Sequence, residues 1–135
     1  MNKKVHTILL VDDDLAINYF HKRLLSKSEL SDAIITLYNG EVAIQKLIEQ
    51  NDVLTEEDVL LIFLDINMPI MDGWQFLEEY KRIKSSLKFK CKIFVLSSSI
   101  NPDDIKKAES NVFVSKYLAK PLSMDNVDCI INGYL

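Results

Sequence analysis

The 135-residue chain is 48% hydrophobic and 27% charged, the composition of one globular domain with enough apolar material for a core. A net charge of -4 without a Lys/Arg block argues against direct nucleic-acid binding. No stretch reaches the roughly 18 apolar residues of a membrane span, and the run Ile8–Val11 that follows Lys3 and Lys4 is too short for a signal peptide, so a cytoplasmic protein is expected.

Residues 6–12, His-Thr-Ile-Leu-Leu-Val-Asp, form a short apolar run ending in acid and predict a first strand. Asp12-Asp13-Asp14 follow, with Asp14 placed to cap a helix over Leu15–Ser26. Ile17, Phe20 and Leu24 are spaced as the inward face of that helix. Ile34–Leu37 predicts a second strand, stopped by Asn39-Gly40. Glu41–Gln50 predicts a second helix, with Ala43, Ile44, Leu47 and Ile48 inward. The polar stretch 51–58 reads as a surface loop long enough to hide an extra helical turn.

Val59–Leu64 is an unbroken apolar run ending at Asp65, the pattern of a strand buried on both faces of a parallel sheet. Pro69 and Gly73 mark a loop. Trp74–Ser86 then predicts a helix with Phe76, Leu77, Tyr80 and Ile83 on one face. Lys92–Leu96 predicts a fourth strand, ending in Ser97-Ser98-Ser99. Pro102 suits a first helical turn, and a thinly apolar helix is expected over 103–109. Tyr117–Ala119 predicts a fifth strand before Lys120-Pro121, and Met124–Tyr134 a last helix with Val127, Ile130, Ile131 and Tyr134 inward. His6 and His21 read as surface or half-buried residues without a role. Cys91 and Cys129 have no Cys-x-x-Cys spacing and read as reduced, mostly buried thiols. Strands alternating with helices imply an α/β fold, helices covering both faces of a parallel sheet.

In such a sheet, ligands sit at the carboxyl ends of the strands. There the sequence collects Asp12 and Asp13, Asp65, Ser97 and Lys120. Three neighbouring carboxylates repel, and a hard divalent cation such as Mg2+ relieves them. Asp65 can then act as a carboxylate nucleophile toward a phosphoryl group. Lys120 can neutralise the phosphoryl charge and the Ser97 hydroxyl can donate to one of its oxygens.

The segments Ile-Leu-Leu-Val-Asp12-Asp13, Phe-Leu-Asp65-Ile-Asn-Met-Pro69-Ile-Met-Asp72-Gly73, Val-Leu-Ser97-Ser98 and Tyr117-Leu-Ala-Lys120-Pro121 together resemble the receiver domain of two-component response regulators. The resemblance covers nearly the whole chain, as one receiver over 1–135, and is closest to stand-alone receivers of the chemotaxis-regulator type. It implies a doubly wound, flavodoxin-like (βα)5 fold with sheet order 2-1-3-4-5. It also implies that Asp65 is the phosphoacceptor, with Asp12, Asp13 and the backbone carbonyl of Asn67 joining it around Mg2+. Ser97 and Tyr117 take the switch positions, Lys120 the phosphate-pairing one, and a cis bond is implied before Pro121. The expected partners are a sensor histidine kinase or phosphotransfer protein and an output protein, since no effector domain follows Leu135. The helix 4–strand 5–helix 5 face could serve output or a homodimer. Two stretches depart from the family: 51–58 is long, and 110–115 is unusually apolar and lacks a Gly. A haloacid-dehalogenase-like phosphatase is the alternative. It wants Asp at position 67, where this chain has Asn. A receiver fold used only for unphosphorylated binding is the third reading, and the expectation is a switch and not an enzyme.

Overall fold

A computed structural model describes residues 4–135; Lys3 lies outside the described residues. Strands and helices alternate as β1 (Thr7–Val11), α1 (Leu15–Ser26), β2 (Ala33–Leu37), α2 (Gly40–Gln50), β3 (Val59–Leu64), α3 (Gly73–Ile83), β4 (Lys90–Ser97), α4 (Pro102–Ser110), β5 (Val114–Ala119) and α5 (Met124–Gly133). The sheet is parallel, in the order β2-β1-β3-β4-β5. This is the doubly wound, flavodoxin-like arrangement.

Successive side chains of a strand point to opposite faces, so an unbroken apolar strand supplies two cores at once. Leu9 and Val11 of β1, with Ile62 and Leu64 of β3, pack against Ala43 and Leu47 of α2 and Phe76 and Leu77 of α3. Ile8 and Leu10, with Leu61 and Phe63, face the other way, toward Leu25 of α1 and Val127 and Ile130 of α5. Each fully buried Leu or Phe of this kind contributes about 1.5–3 kcal/mol. On the first face a smaller cluster of Ile66, Val95 and Ala108 seats α4, with Ile66 and Ala108 its members outside the sheet. The thin apolar content of α4 therefore shows as a single buried residue, Ala108.

Several expectations change. The inward face of α1 is Asn18, His21 and Leu25, while Phe20 is 48% exposed. Its polar positions find backbone partners from elsewhere in the chain, so an apolar stripe was the wrong guide. Ile48 is exposed. Helix α3 stops at Ile83, and 84–86 form a 3-10 turn. Strand β5 begins at Val114, three residues before the expected start. A register shift leaves Ser115 unmatched between the pairs Ile93/Val114 and Phe94/Lys116, a bulge that breaks the alternation a reader of sequence relies on. Phe113 and Val114 of the departing stretch pack on the core, while Val112 is exposed. Beyond α2 the amides of Asn51, Asp52 and Val53 donate to the carbonyls three residues back. The long loop thus holds an extra tight turn and drops Leu54 into the core. The Asn51 side chain then pins it to Ser86 O at 3.0 Å and Lys88 N at 2.7 Å. Cys91 is partly buried, and burial pushes its thiol up to about 12. Cys129 is exposed, against expectation. No helix of the described residues is long and apolar enough to cross a membrane.

Candidate functional site

The register places the chemistry. Val11 pairs with Leu64, so Asp12 and Asp65 leave adjacent strands side by side. Their amides still donate into the sheet, Asp12 N to Leu37 O at 3.0 Å and Asp65 N to Val11 O at 2.9 Å, which fixes both Cα positions. Ser97 pairs with Ala119, and Lys120 follows with its amide bonded to Ser97 O at 2.9 Å. Asp12, Asp65 and Ser97 are buried, while Asp13 is exposed.

Lys120 Nζ lies 2.5 Å from Asp12 Oδ2 and 3.3 Å from Asp65 Oδ1. Carboxylate oxygens of Asp12, Asp13 and Asp65 all fall within 4.8 Å of one another. An all-oxygen cluster of that size suits a hard divalent cation. Burial pushes the Asp65 carboxyl up to about 6, and the neighbouring Asp12 charge adds to the rise, while Lys120 opposes it. Burial alone would lower the Lys120 ammonium, but its hydrogen bond to Asp12 and the charges of Asp65 and Asp12 outweigh that, and its pKa is raised. The crowded acids thus fit the group that the sequence called for.

The loops are built to hold this edge open. Asp14 caps α1, accepting from Ala16 N and Ile17 N, and its own amide donates to Asp12 Oδ1 at 2.9 Å. Asp72 and Gln75 close a reciprocal cap at the start of α3. Between Asp65 and α3, Met71 N donates to Pro69 O at 2.7 Å, a γ-turn that places Ile70 at φ 68. Met71 O accepts from Gly40 N and Ile66 O from Gly73 N. A Cβ on Gly73 would stand 2.5 Å from Asp65 O, so only glycine lets α3 start this close to the acid. Asn67 is exposed on the same loop. The Lys120–Pro121 bond is cis, as the resemblance implied.

Ser97 Oγ accepts from Ser99 N at 3.1 Å, and Tyr117 donates its hydroxyl to Ser99 O at 2.5 Å. The expected switch pair therefore meets on one residue of the β4–α4 loop. Trp74 and Met71 pack on the core, and Lys107 lies 4.4 Å over the Trp74 ring, a cation–π contact between α4 and α3. His6 is exposed.

The sequence reading missed Asn18, His21 and Leu122. Asn18 Nδ2 donates to Asp12 O at 2.8 Å, and His21 Nε2 accepts from Leu122 N at 3.0 Å. Asn18 Oδ1 is buried without a partner. Burial holds His21 down at about 4, Lys120 adding to the effect and Asp12 opposing it. The only available signal was the i, i+3, i+7 spacing of Asn18, His21 and Leu25, which a search for apolar stripes passes over.

The family model for the response regulator receiver domain matches residues 8–132. Response regulator Rcp1 of Synechocystis sp. is 31% identical over 126 residues, which cover 93% of this chain and 84% of that protein. The crystal structure of a two-component response regulator from Cytophaga hutchinsonii is similar with a TM-score of 0.83 at 30% identity, covering 96% of each chain. The Mn(2+)-bound form of Rcp1 gives a TM-score of 0.66 at 28% identity, covering 95% of this chain and 90% of that one. The phosphorylated cyanobacterial phytochrome response regulator RcpA gives 0.70 at 29%, covering 96% and 90%. Against a protein-glutamate methylesterase of Rhodospirillum rubrum, 26% identical, the chain spans 27% of that protein's length.

Proposed function

This chain belongs to the response regulator receiver domain family, the phosphorylation switches of two-component signalling, and from that premise we propose that Asp65 is its phosphoacceptor. The donor is the phosphohistidine of a sensor kinase or phosphotransfer protein. The Asp65 carboxylate attacks phosphorus, the P–N bond breaks, and the imidazole leaves. The observation that carries this reading is Lys120 Nζ held against both Asp12 and Asp65. A lysine so placed can turn to a phosphoryl oxygen with little movement, and positioning with charge neutralisation is most of what phosphoryl transfer needs.

Asp12, Asp13 and Asp65, with the Asn67 carbonyl, would hold Mg2+. Bound there, Mg2+ would neutralise the crowded carboxylates and the phosphoryl oxygens. Ser97 Oγ accepts from Ser99 N, so its proton is free to donate to the phosphoryl group. That donation would draw on the loop that Tyr117 also grips, and the two together would report phosphorylation to the α4–β5–α5 face, where an output protein or a second copy binds. Residues 1–135 form one receiver, which works in the cytoplasm as a switch without steady turnover.

Intact mass after incubation with Mg2+ and acetyl phosphate tests the assignment. A gain of one phosphoryl group in the wild type and none in Asp65→Asn supports it. An equal gain in the variant overturns the site. No gain in either favours an unphosphorylated binding module, and sustained turnover of a phosphate monoester would favour the phosphatase.

A further inference from the structure

We propose that His21 is a positioning residue for Lys120, acting through the backbone of Leu122; the role rests on the phosphoacceptor reading of Asp65. Lys120 is fixed from one side by the bond from its amide to Ser97 O. On the other side the chain leaves the sheet, and two residues later the Leu122 amide is buried. A buried amide without an acceptor is costly, so the segment holds this course only where an acceptor waits. The acceptor is His21 Nε2, at 3.0 Å and 101 residues distant in sequence. A backbone N–H can only donate, so Nε2 is the bare nitrogen and the proton of the neutral ring sits on Nδ1. Helix α1 turns His21 inward at 1% exposure, with Phe20 against its ring at 5.8 Å.

The same helix face holds the other side of the ion pair. Asn18, one turn before His21, donates to Asp12 O at 2.8 Å, and Asp12 Oδ2 is the near partner of Lys120 Nζ. One face of α1 therefore fixes both the acid and the segment that carries the lysine. Asn18 grips Asp12, and His21 grips Leu122. The helix thus braces the separation between Lys120 and the acids that the sheet bonds at Asp12 N and Lys120 N begin to set.

The test compares His21→Leu, which removes the acceptor, with His21→Gln, whose Oε1 can stand where Nε2 stood. Leu25→Ala is the control. It lies on the same face and is fully buried in the same apolar cluster as Leu122, but its side chain offers no acceptor to the Leu122 amide. Phosphorylation of Asp65 by acetyl phosphate is followed by intact mass at saturating Mg2+, together with Mg2+ affinity and hydrogen exchange at the Leu122 amide. His21→Leu should slow transfer about tenfold, the scale of a misplaced charge near the reacting atoms, with Mg2+ bound no more weakly. It should also lose protection at Leu122. His21→Gln should recover both, and Leu25→Ala should lose stability but keep the wild-type rate. Transfer by His21→Leu at the wild-type rate would overturn the positioning role alone. So would equal slowing in Leu25→Ala, which marks loss of stability as the cause. No transfer in the wild type would overturn the phosphoacceptor reading and the positioning role with it.

Discussion

The Tyr117 hydroxyl donates to the carbonyl of Ser99 across 18 residues of sequence, at 2.5 Å. The bond ties β5 to the loop that starts α4, a helix with one buried residue of its own. Tyr117→Phe removes the tie and leaves the ring. Amides of residues 99–105 should then exchange faster with solvent by about three- to tenfold, since a lost hydrogen bond is worth roughly 0.5–1.5 kcal/mol. The rate of acetyl phosphate uptake should stay within about twofold of wild type, because the hydroxyl removed bonds to Ser99 O and not to Asp65 or Lys120. Unchanged exchange in that loop would remove Tyr117 from the switch.

Asp65 gives the metal-free protein a pH-dependent weakness. Its carboxyl stands at about 6 in the fold against an ordinary 3.8, burial being the larger cause and Asp12 the next. The fold therefore favours the protonated acid. That contribution is present below the ordinary pKa and is lost as pH rises through about 6. In EDTA, Asp65→Asn should match the wild type near pH 4 and exceed it above pH 7, by up to about 3 kcal/mol at 1.36 kcal/mol per pKa unit. Urea denaturation at the two pH values reads the difference. An advantage that is the same at both values would refute the strained-acid account.

Asp13 is the exposed member of the acidic cluster, and the ion pair of Lys120 with Asp12 and Asp65 does not include it. Asp13→Ala should therefore leave metal-free stability within about 0.5 kcal/mol of wild type, as for an ordinary surface change. A ligand that binds only the folded state raises its stability by mass action, about 2.7 kcal/mol at a hundredfold excess over the dissociation constant. Mg2+ should raise the wild-type melting temperature and raise that of Asp13→Ala far less. Equal shifts would place the cation elsewhere.

Gly73 should tolerate no side chain. The Cβ of Gly73→Ala would meet Asp65 O at 2.5 Å and Ile66 Cα at 2.9 Å, both backbone atoms with nowhere to retreat. Overpacking of this kind costs about 1–3 kcal/mol. The strain falls on the acid itself, so phosphoryl uptake should fall along with denaturant stability. A variant with full stability and full uptake would show that the α3 entrance can move.

The carboxyl edge was legible because its residues follow continuous apolar runs. Val59–Leu64 is buried along nearly its whole length, so the end of the run and Asp65 coincide. The same holds for β1 and Asp12. Strand β5 was harder to read because Leu118 is its one buried residue and a bulge at Ser115 breaks its alternation. The inward face of α1 was misread for a different reason. Asn18 and His21 are buried through hydrogen bonds to Asp12 O and Leu122 N, partners that no local pattern displays. Periodicity reports burial of carbon, and it is silent where burial is made acceptable by a distant backbone atom.

The bond from Leu122 to His21 also bears on how the molecule is made. During synthesis α1 emerges long before residue 122, and until then His21 has no native donor to turn toward. The first helix can form early on its own backbone, yet its inward face is complete only after the last strand has docked. Contacts between such remote segments form late and slow the assembly. A ribosome-bound chain stalled before Leu122 should keep the His21 ring open to solvent, and the site would become competent in the same event that completes the fold.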